Sequence, residues 1–223
     1  MKTPPAPTPI PLAEKRRAGR VYRKLEKTYP HATCALKHRN AFELLVATIL
    51  SAQCTDERVN MTTPALFEKY PTPAALAASK PADVEKLIRS TGFYRNKAKS
   101  IRGAAQTIVD HHAGEVPDTM DELLKLPGVA RKTANVVLGN AFNQNVGVVV
   151  DTHVTRLSNR LGFTTHKDAK KIERDLMPLF PRKNWTMLSH LLIFHGRAIC
   201  KARKPKCESC PLLKDCPQIG VPT

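Results

Sequence analysis

The sequence lacks any long apolar run. No stretch of its 223 residues approaches the roughly 18 consecutive apolar residues that a membrane-spanning helix needs. The N-terminus, MKTPPAPTPIPLAEKRRAGR, lacks the apolar core of a secretory signal, and no internal repeat of the solenoid type is present. We therefore expect no membrane partner, and a cytoplasmic location rather than export.

Acidic residues are scarce. The chain has 36 Lys and Arg against 19 Asp and Glu, a formal net charge of +17. Such a surplus favours a polyanionic partner, because phosphates attract it independently of sequence. A basic amphipathic helix with a Trp or Phe face, which would favour an anionic membrane surface, is missing. Residues 1–20 are rich in proline and end in a basic patch, which predicts a flexible tail.

Strand-like composition is confined to residues 146–150 (VGVVV), a run too short and isolated to define a sheet. Val21, Leu25 and Tyr29 recur every fourth residue, as on one face of a helix. Residues 41–52 (AFELLVATILSA) are apolar nearly all round, which predicts a buried helix. Further helices are predicted at residues 56–69, 73–79, 82–90, 95–112, 119–125, 131–142, 152–161, 167–179 and 184–199. The predicted fold is all-α.

The segment LKLPGVARKTANVVLGNAF predicts a helical hairpin over about residues 118–142. Its Pro127-Gly128 turn opens directly into a helix, whose N–H groups can hold a DNA phosphate. Lys132 lies in the first turn of that helix, where the macrodipole disfavours an ammonium. We expect this lysine to lose its proton readily, and a neutral amine is what attack on a sugar carbon requires. The alternative is that Arg131 and Lys132 both contact phosphates.

Asp151 follows the valine run and precedes a predicted helix. Locally, the sequence favours a helix N-cap, whose carboxylate accepts backbone N–H bonds. A capping carboxylate can also face a reacting centre. There it would stabilise positive charge on a sugar that is losing its base.

Four of the six cysteines crowd into 17 residues with the spacing C-x6-C-x2-C-x5-C. A single CxxC pair differs from the two separated pairs that are typical of zinc modules, and four thiolates suit one iron–sulfur cluster. Zinc held by the same thiolates is the alternative. Either metal would pin the loop KARKPK and present its basic side chains to phosphates. The predicted ligands are Cys200, Cys207, Cys210 and Cys216, and the basic residues are Lys201, Arg203, Lys204 and Lys206.

Together, LPGVARKTANVV, VVVDTHVTRLSNRLG, ELLVATILSAQCTD and the cysteine loop resemble the endonuclease III family of helix-hairpin-helix DNA glycosylases, over about residues 21–216. The resemblance implies two helical lobes with a DNA cleft between them. One is a six-helix barrel containing the hairpin (residues 34–144), and the other holds a 4Fe–4S cluster (residues 21–33 plus 145–223). It also implies a monomer that binds double-stranded DNA with damaged bases or abasic sites.

The resemblance further implies a bifunctional enzyme that removes oxidised pyrimidines of the thymine glycol type and then cleaves the abasic site by β-elimination. Lys132 matches the Schiff-base lysine and Asp151 the catalytic aspartate. Gln53 matches the residue that fills the gap left by a flipped base. The adenine-mismatch branch of the superfamily lacks this lysine. The predicted DNA contacts are Gln53, Phe93, Arg95, Gly128, Ala130, Arg131, Thr133, His153 and the four basic residues of the cysteine loop.

Two departures from the family pattern bear on these expectations. Ala130 replaces the second glycine of LPGVG, and an alanine there would be strained if the position requires positive φ. Phe93 stands where a leucine is common in the wedge that enters the DNA stack, although core packing would also explain it.

Two other functions remain open from the sequence. The same lysine and aspartate would serve on pyrimidine dimers or mismatched pyrimidines. A protein that binds DNA without catalysis, with a structural four-cysteine zinc module, is the alternative from a different class.

Overall fold

The computed structural model describes residues 10–222. Within that range the chain forms α-helices and short 3-10 helices, with no strand, which confirms the all-α prediction. The α-helices are α1 (Leu12–Thr28), α2 (Ala41–Leu50), α3 (Asp56–Lys69), α4 (Pro73–Ala77), α5 (Pro81–Ile88), α6 (Tyr94–His111), α7 (Met120–Leu123), α8 (Arg131–Ala141), α9 (Thr152–Arg160), α10 (Ala169–Leu176) and α11 (Trp185–Ala198). The 3-10 helices are Arg89–Thr91, Arg182–Asn184 and Leu213–Asp215.

The chain divides into two compact units. One is Cys34–Val146, called the barrel unit here after the domain predicted for it, and the other, the terminal unit, joins the described residues up to Thr33 with those from Gly147 onward. Each unit has its own apolar core. Two domain assignments stay predictions. They are a barrel domain at residues 34–144 and an iron–sulfur domain at residues 21–33 plus 145–223.

Helix α2 is the central element of the barrel unit. All its residues from Phe42 to Leu50 are buried, as its apolar composition predicts. The helix begins at Ala41 because the Asn40 side chain accepts a hydrogen bond from the Glu43 N–H. The Glu43 carboxylate in turn accepts the Arg39 N–H at 2.7 Å. These reciprocal bonds satisfy backbone donors that the first helical turn leaves open.

The first helix starts earlier than expected. Helix α1 begins at Leu12, so residues 12–20 are helical rather than part of a flexible tail. The extension is stabilised by packing, because Ala18 is fully buried. It is also tied to a distant segment, since Arg17 donates to the Asp215 carbonyl at 2.8 Å. Residues 1–9 of the predicted tail lie outside the described residues.

Residues 147–150 of the valine run are buried, Val146 is half-buried, and the run pairs with no strand among residues 10–222. Val148 and Val150 belong to the core of the terminal unit. The Val149 N–H donates to the Ser189 hydroxyl of α11 at 2.9 Å, and not to a neighbouring strand. The run therefore serves as an extended lead into α9. None of the helices within residues 10–222 is long and apolar enough to cross a membrane.

Candidate active site and nucleic-acid interface

The hairpin turn is built around Gly128. This residue has a φ of +79°, a conformation that side-chain-bearing residues rarely adopt. A Cβ at this position would lie 2.7 Å from the Ser100 Cβ of helix α6. Glycine is therefore required both for the turn and for the close approach of α6. Val129, next in sequence, is buried and anchors the turn to the barrel core.

Ala130 is not strained. Its φ is −101° and its ψ is 171°, an extended conformation open to any residue. The alanine that replaces the usual glycine therefore carries none of the cost that positive φ would impose. Ala130 is the N-cap of α8, and no side chain caps that helix. The first N–H groups of α8 thus lie at an exposed helix end that favours an anion.

Lys132 is the second residue of α8 and is exposed. The helix is fixed beneath it by Ala134, Val137 and Leu138, which are fully buried in the barrel core. A rigid helix therefore carries the amino group at a surface that a substrate can reach. Thr133 and Arg131 are half-buried in the same turn.

Asp151 caps helix α9, as its position in the sequence predicts. Its Oδ1 accepts a hydrogen bond from the Val154 N–H at 2.8 Å. The bond fixes the side chain, which is half-buried, and it leaves the second carboxylate oxygen for another partner. Asp151 belongs to the terminal unit, whereas Lys132 belongs to the barrel unit.

His153 lies on the same helix and is half-buried. Its Nδ1 is 3.1 Å from the Arg156 guanidinium. Arg156 also donates to the carbonyls of Gly196 and Cys200, which joins α9 to the end of α11. His153 is thus held between helices, and a Cβ on Gly196 would lie 2.9 Å from its ring.

Gln53 and Phe93 are exposed residues of the barrel unit. Phe93 is 64% exposed, so core packing does not explain it. Both have left-handed backbones, with φ values of 52° and 48°. Arg95 is also exposed, with its guanidinium 5.5 Å from the centre of the Tyr94 ring.

The four clustered cysteines line one pocket of the terminal unit, as their spacing predicts. Basic and neutral donors approach their sulfurs. Arg160 donates to the Cys200 Sγ at 3.3 Å, and the His195 Nε2 is 3.4 Å from the Cys210 Sγ. Convergent thiolates with hydrogen-bond donors beside them are the donor set that an iron–sulfur cluster requires. The residues present therefore fit such a cluster.

The loop after Cys200 presents its four basic side chains to solvent: Lys201, Arg203, Lys204 and Lys206 are all exposed. Its backbone is fixed by Arg160, a buried residue of α9. The guanidinium donates to the carbonyls of Lys201 and Ala202, each at 2.8 Å. The result is a cationic surface on a rigid loop.

Sequence reasoning missed several of the residues that shape these sites. Arg160 and His195 are buried beside the cysteine sulfurs, and Lys97 is buried in the barrel unit. The Tyr29 hydroxyl lies 2.9 Å from the His195 Nδ1, so Tyr29 reaches the cysteine pocket through that ring. Lys97 carried a sequence signal, because it lies one turn before Ile101 on the apolar face of α6.

Comparison with known families gives two matches. Residues 46–182 match the HhH-GPD superfamily base excision DNA repair protein. Residues 200–216 match the iron-sulfur binding domain of endonuclease III, which supports the cluster over zinc. The second match covers all four cysteines.

Relatives of this chain are similar along most of their length. Endonuclease III of Synechocystis sp. is 58% identical over 205 residues, which are 92% of this chain and 94% of that protein. Endonuclease III of Escherichia coli is 41% identical, over 84% of this chain and 88% of its own length. A solved non-covalent endonuclease III–DNA complex is 48% identical with a TM-score of 0.86, covering 92% of this chain and 95% of that one. The chain therefore belongs to the endonuclease III family.

Proposed function

We propose that this protein is a bifunctional DNA glycosylase and abasic-site lyase of base excision repair, with Lys132 as its nucleophile. The observation that carries the proposal is an exposed lysine on the uncapped first turn of α8, directly after the Pro127-Gly128 hairpin turn. A solved relative that is 48% identical over 92% of this chain is a trapped covalent intermediate between endonuclease III and DNA. A covalent bond to DNA needs a nucleophile, and Lys132 is the exposed lysine in the first turn of α8.

The chemistry begins with the Lys132 amine in its neutral form. Its nitrogen bonds to the deoxyribose C1′ while the glycosidic bond breaks and the base leaves with the bonding electrons. The amine loses a proton and the sugar ring opens to give an imine. The imine acidifies the C2′ protons, so loss of one of them expels the 3′ phosphate. Hydrolysis of the imine then frees the lysine.

Asp151 would serve as the carboxylate of this reaction. Its Oδ1 is committed to the Val154 N–H, so its anionic charge is held in place by the helix that it caps. The second oxygen is then available to stabilise positive charge that develops on the sugar as the base departs. It can also exchange protons with the departing base and the amine.

A base inside a duplex is out of reach, so the damaged nucleotide must leave the stack. Gln53 would fill the space that it leaves, and the exposed Phe93 ring would wedge between neighbouring bases. Phosphates would be held by the first N–H groups of α8 and by the basic residues after Cys200. Arg95, Gly128, Ala130, Arg131, Thr133 and His153 complete the proposed set of DNA contacts.

The iron–sulfur cluster would be a 4Fe–4S cluster held by the four cysteines. Four thiolates leave no open coordination position, so when bound the group supplies structure and no catalytic step. Arg160 and His195 support the ligands, and the pinned loop presents its cations to the DNA backbone.

The proposed substrates are oxidised pyrimidines of the thymine glycol type in double-stranded DNA of the nucleoid, and the proposed active form is a monomer. Pyrimidine dimers and mismatched pyrimidines would require no different nucleophile, but no described residue favours them. The non-catalytic zinc protein is disfavoured by the match of residues 200–216 to the iron-sulfur domain.

Borohydride trapping tests the nucleophile. The parent protein, mixed with abasic duplex DNA and borohydride, is expected to give a covalent adduct, and Lys132→Ala is expected to give none. Lys125→Ala is the matched control, because Lys125 is an exposed lysine of the same hairpin that pairs with Glu122. It should trap like the parent. Equal trapping by Lys132→Ala would show that another amine is the nucleophile.

A further inference from the structure

Lys97 is a buried lysine that pairs with no carboxylate among residues 10–222. Only 5% of it is exposed. Its Nζ donates to the Leu50 carbonyl at 2.8 Å and to the Thr91 carbonyl at 2.7 Å. Burial lowers the pKa of Lys97, while the nearby Cys54 acts in the opposite direction. Burying an ammonium is costly, so a lysine kept here calls for a reason beyond filling space.

The two acceptors stand at the base of two exposed loops. Leu50 is the last residue of α2, and the chain then leads to Gln53. Thr91 is the last residue of a 3-10 helix, and the chain then leads through Gly92 to Phe93. The carbonyls lie at helix ends, where the backbone has no helical partner for them. One ammonium therefore joins two loops that are about 40 residues apart in the chain.

Both loop tips have backbones that need support. Gln53 and Phe93 have φ values of 52° and 48°. Gly92, between Phe93 and the Thr91 carbonyl that Lys97 contacts, has a φ of 70°. Left-handed backbone is unfavourable for residues with side chains and persists where the surroundings enforce it. Phe93 also exposes 64% of its surface, an unfavourable state for an apolar ring in water. Their geometry thus depends on the segments that Lys97 holds.

We propose that Lys97 is a positioning residue that holds Gln53 and Phe93 at a fixed separation, so that both enter the DNA stack as one unit. The inference rests on the proposed function, which gives both tips a role in opening the duplex. Lys97 itself touches neither the nucleotide nor the sugar. Its contribution appears only when a paired, stacked base must be displaced.

This role separates two kinds of substrate. A lesion in a fully paired duplex must be unstacked and its place filled. This requires Gln53 and Phe93 to be held at the correct separation. An abasic site in single-stranded DNA needs no displacement, so Lys132 can reach it without them. A residue that merely stabilises the fold would affect both substrates alike.

The test compares Lys97→Met with the parent on both substrates. Methionine keeps the length of the side chain and removes the ammonium. Lys99→Met is the matched control, because Lys99 lies two residues away on α6 and is exposed. On thymine glycol duplex, kcat/KM of Lys97→Met should fall about tenfold or more, the factor set by one charge-assisted hydrogen bond. Borohydride trapping on single-stranded abasic DNA should stay within about twofold, a change too small to reflect a lost hydrogen bond.

Two further measurements keep the test decisive. Lys97→Gln retains N–H donors without the charge and should show a smaller loss on duplex than Lys97→Met. A 2-aminopurine placed beside an abasic analogue in duplex DNA should brighten less when saturated with either Lys97 variant than with the parent. Equal losses on both substrates, or no loss on duplex in either folded variant, would overturn the proposal. Absence of trapping by the parent itself would instead refute the proposed function.

Discussion

The close approach of α6 to the hairpin turn makes Gly128→Ala the most informative substitution for stability. Two penalties apply to the same methyl group. Alanine at a φ of +79° pays the cost of left-handed backbone, about 1–2 kcal/mol. Its Cβ would also lie 2.7 Å from the Ser100 Cβ and 3.0 Å from the Ser100 hydroxyl, overlaps that force a local shift.

Overpacking of this kind costs about 1–3 kcal/mol, so we expect Gly128→Ala to lower the free energy of unfolding by about 3 kcal/mol in all. For a chain of this length that corresponds to a fall in Tm of roughly 6–12 °C.

A double-mutant cycle separates the two penalties. Ser100→Gly removes both overlapping atoms but leaves the φ of residue 128 unchanged. In that background Gly128→Ala should cost only the backbone term, about 1–2 kcal/mol. The coupling between the two sites is then about 2 kcal/mol, in the range seen for residues in contact. Ser100→Gly by itself should cost about 1 kcal/mol, because glycine weakens a helix.

Urea unfolding followed by circular dichroism at 222 nm measures all four proteins. If the two substitutions are additive within about 0.5 kcal/mol, the steric account of the turn is wrong. Ala130→Gly is a useful companion, because the structure gives Ala130 an extended backbone. Chain entropy favours alanine by about 0.4–1 kcal/mol, whereas glycine is the better N-cap by a similar amount, so the free energy of unfolding should change by less than about 1 kcal/mol. A larger gain would show that the alanine is strained.

Two predictions concern the terminal unit. Burial raises the pKa of Asp215, but its ion pairs with Lys24 and Arg20 lower that pKa overall. Both cations are partly exposed, which weakens the pairs. Asp215→Asn should therefore lower the free energy of unfolding by about 2 kcal/mol at pH 7. Because the folded pKa lies below the unfolded value of 3.8, this difference should be present above about pH 4 and vanish as urea titrations move to lower pH; a difference independent of pH would contradict the ion-pair account. A thiolate at Cys210 can only accept, so with the cluster bound the His195 Nε2 would donate to it and the His195 Nδ1 would accept from the Tyr29 hydroxyl, 2.9 Å away. Tyr29→Phe should therefore lower the reduction potential of the cluster in film voltammetry, and an unchanged potential would exclude this relay.

The helices were predictable because their signals are local. Pro73 and Pro81 each open a helix as its first residue, since proline has no N–H to lose there. Asp151 caps α9 with its own side chain three residues ahead of the N–H that it accepts. The cysteine spacing and the Pro-Gly turn likewise need only a few neighbouring residues. Such features are fixed by chain geometry and side-chain chemistry within one or two turns.

Other properties depended on which distant segments meet. The sequence left Phe93 open between core and surface, and the tertiary structure makes it 64% exposed. It also left open whether Ala130 has a positive φ, whereas the structure gives the positive φ to Gly128, against α6. Residues 12–20 extend α1 because Arg17 reaches a carbonyl 198 residues away.

Lys97 and Lys99 show the distinction most directly. Both are lysines of α6, two positions apart. The helical period puts Lys97 one turn before Ile101 on the apolar face of α6, but it does not say which groups its ammonium would meet there. Only the packing of α6 buries Lys97 against the ends of α2 and of the 3-10 helix, while Lys99 faces solvent. The sequence by itself predicted most of the helices, the hairpin, the candidate nucleophile and the candidate cysteine ligands. Tertiary structure decided which charges are buried and what they hold, because burial and hydrogen-bond partners arise from contacts between segments far apart in the chain.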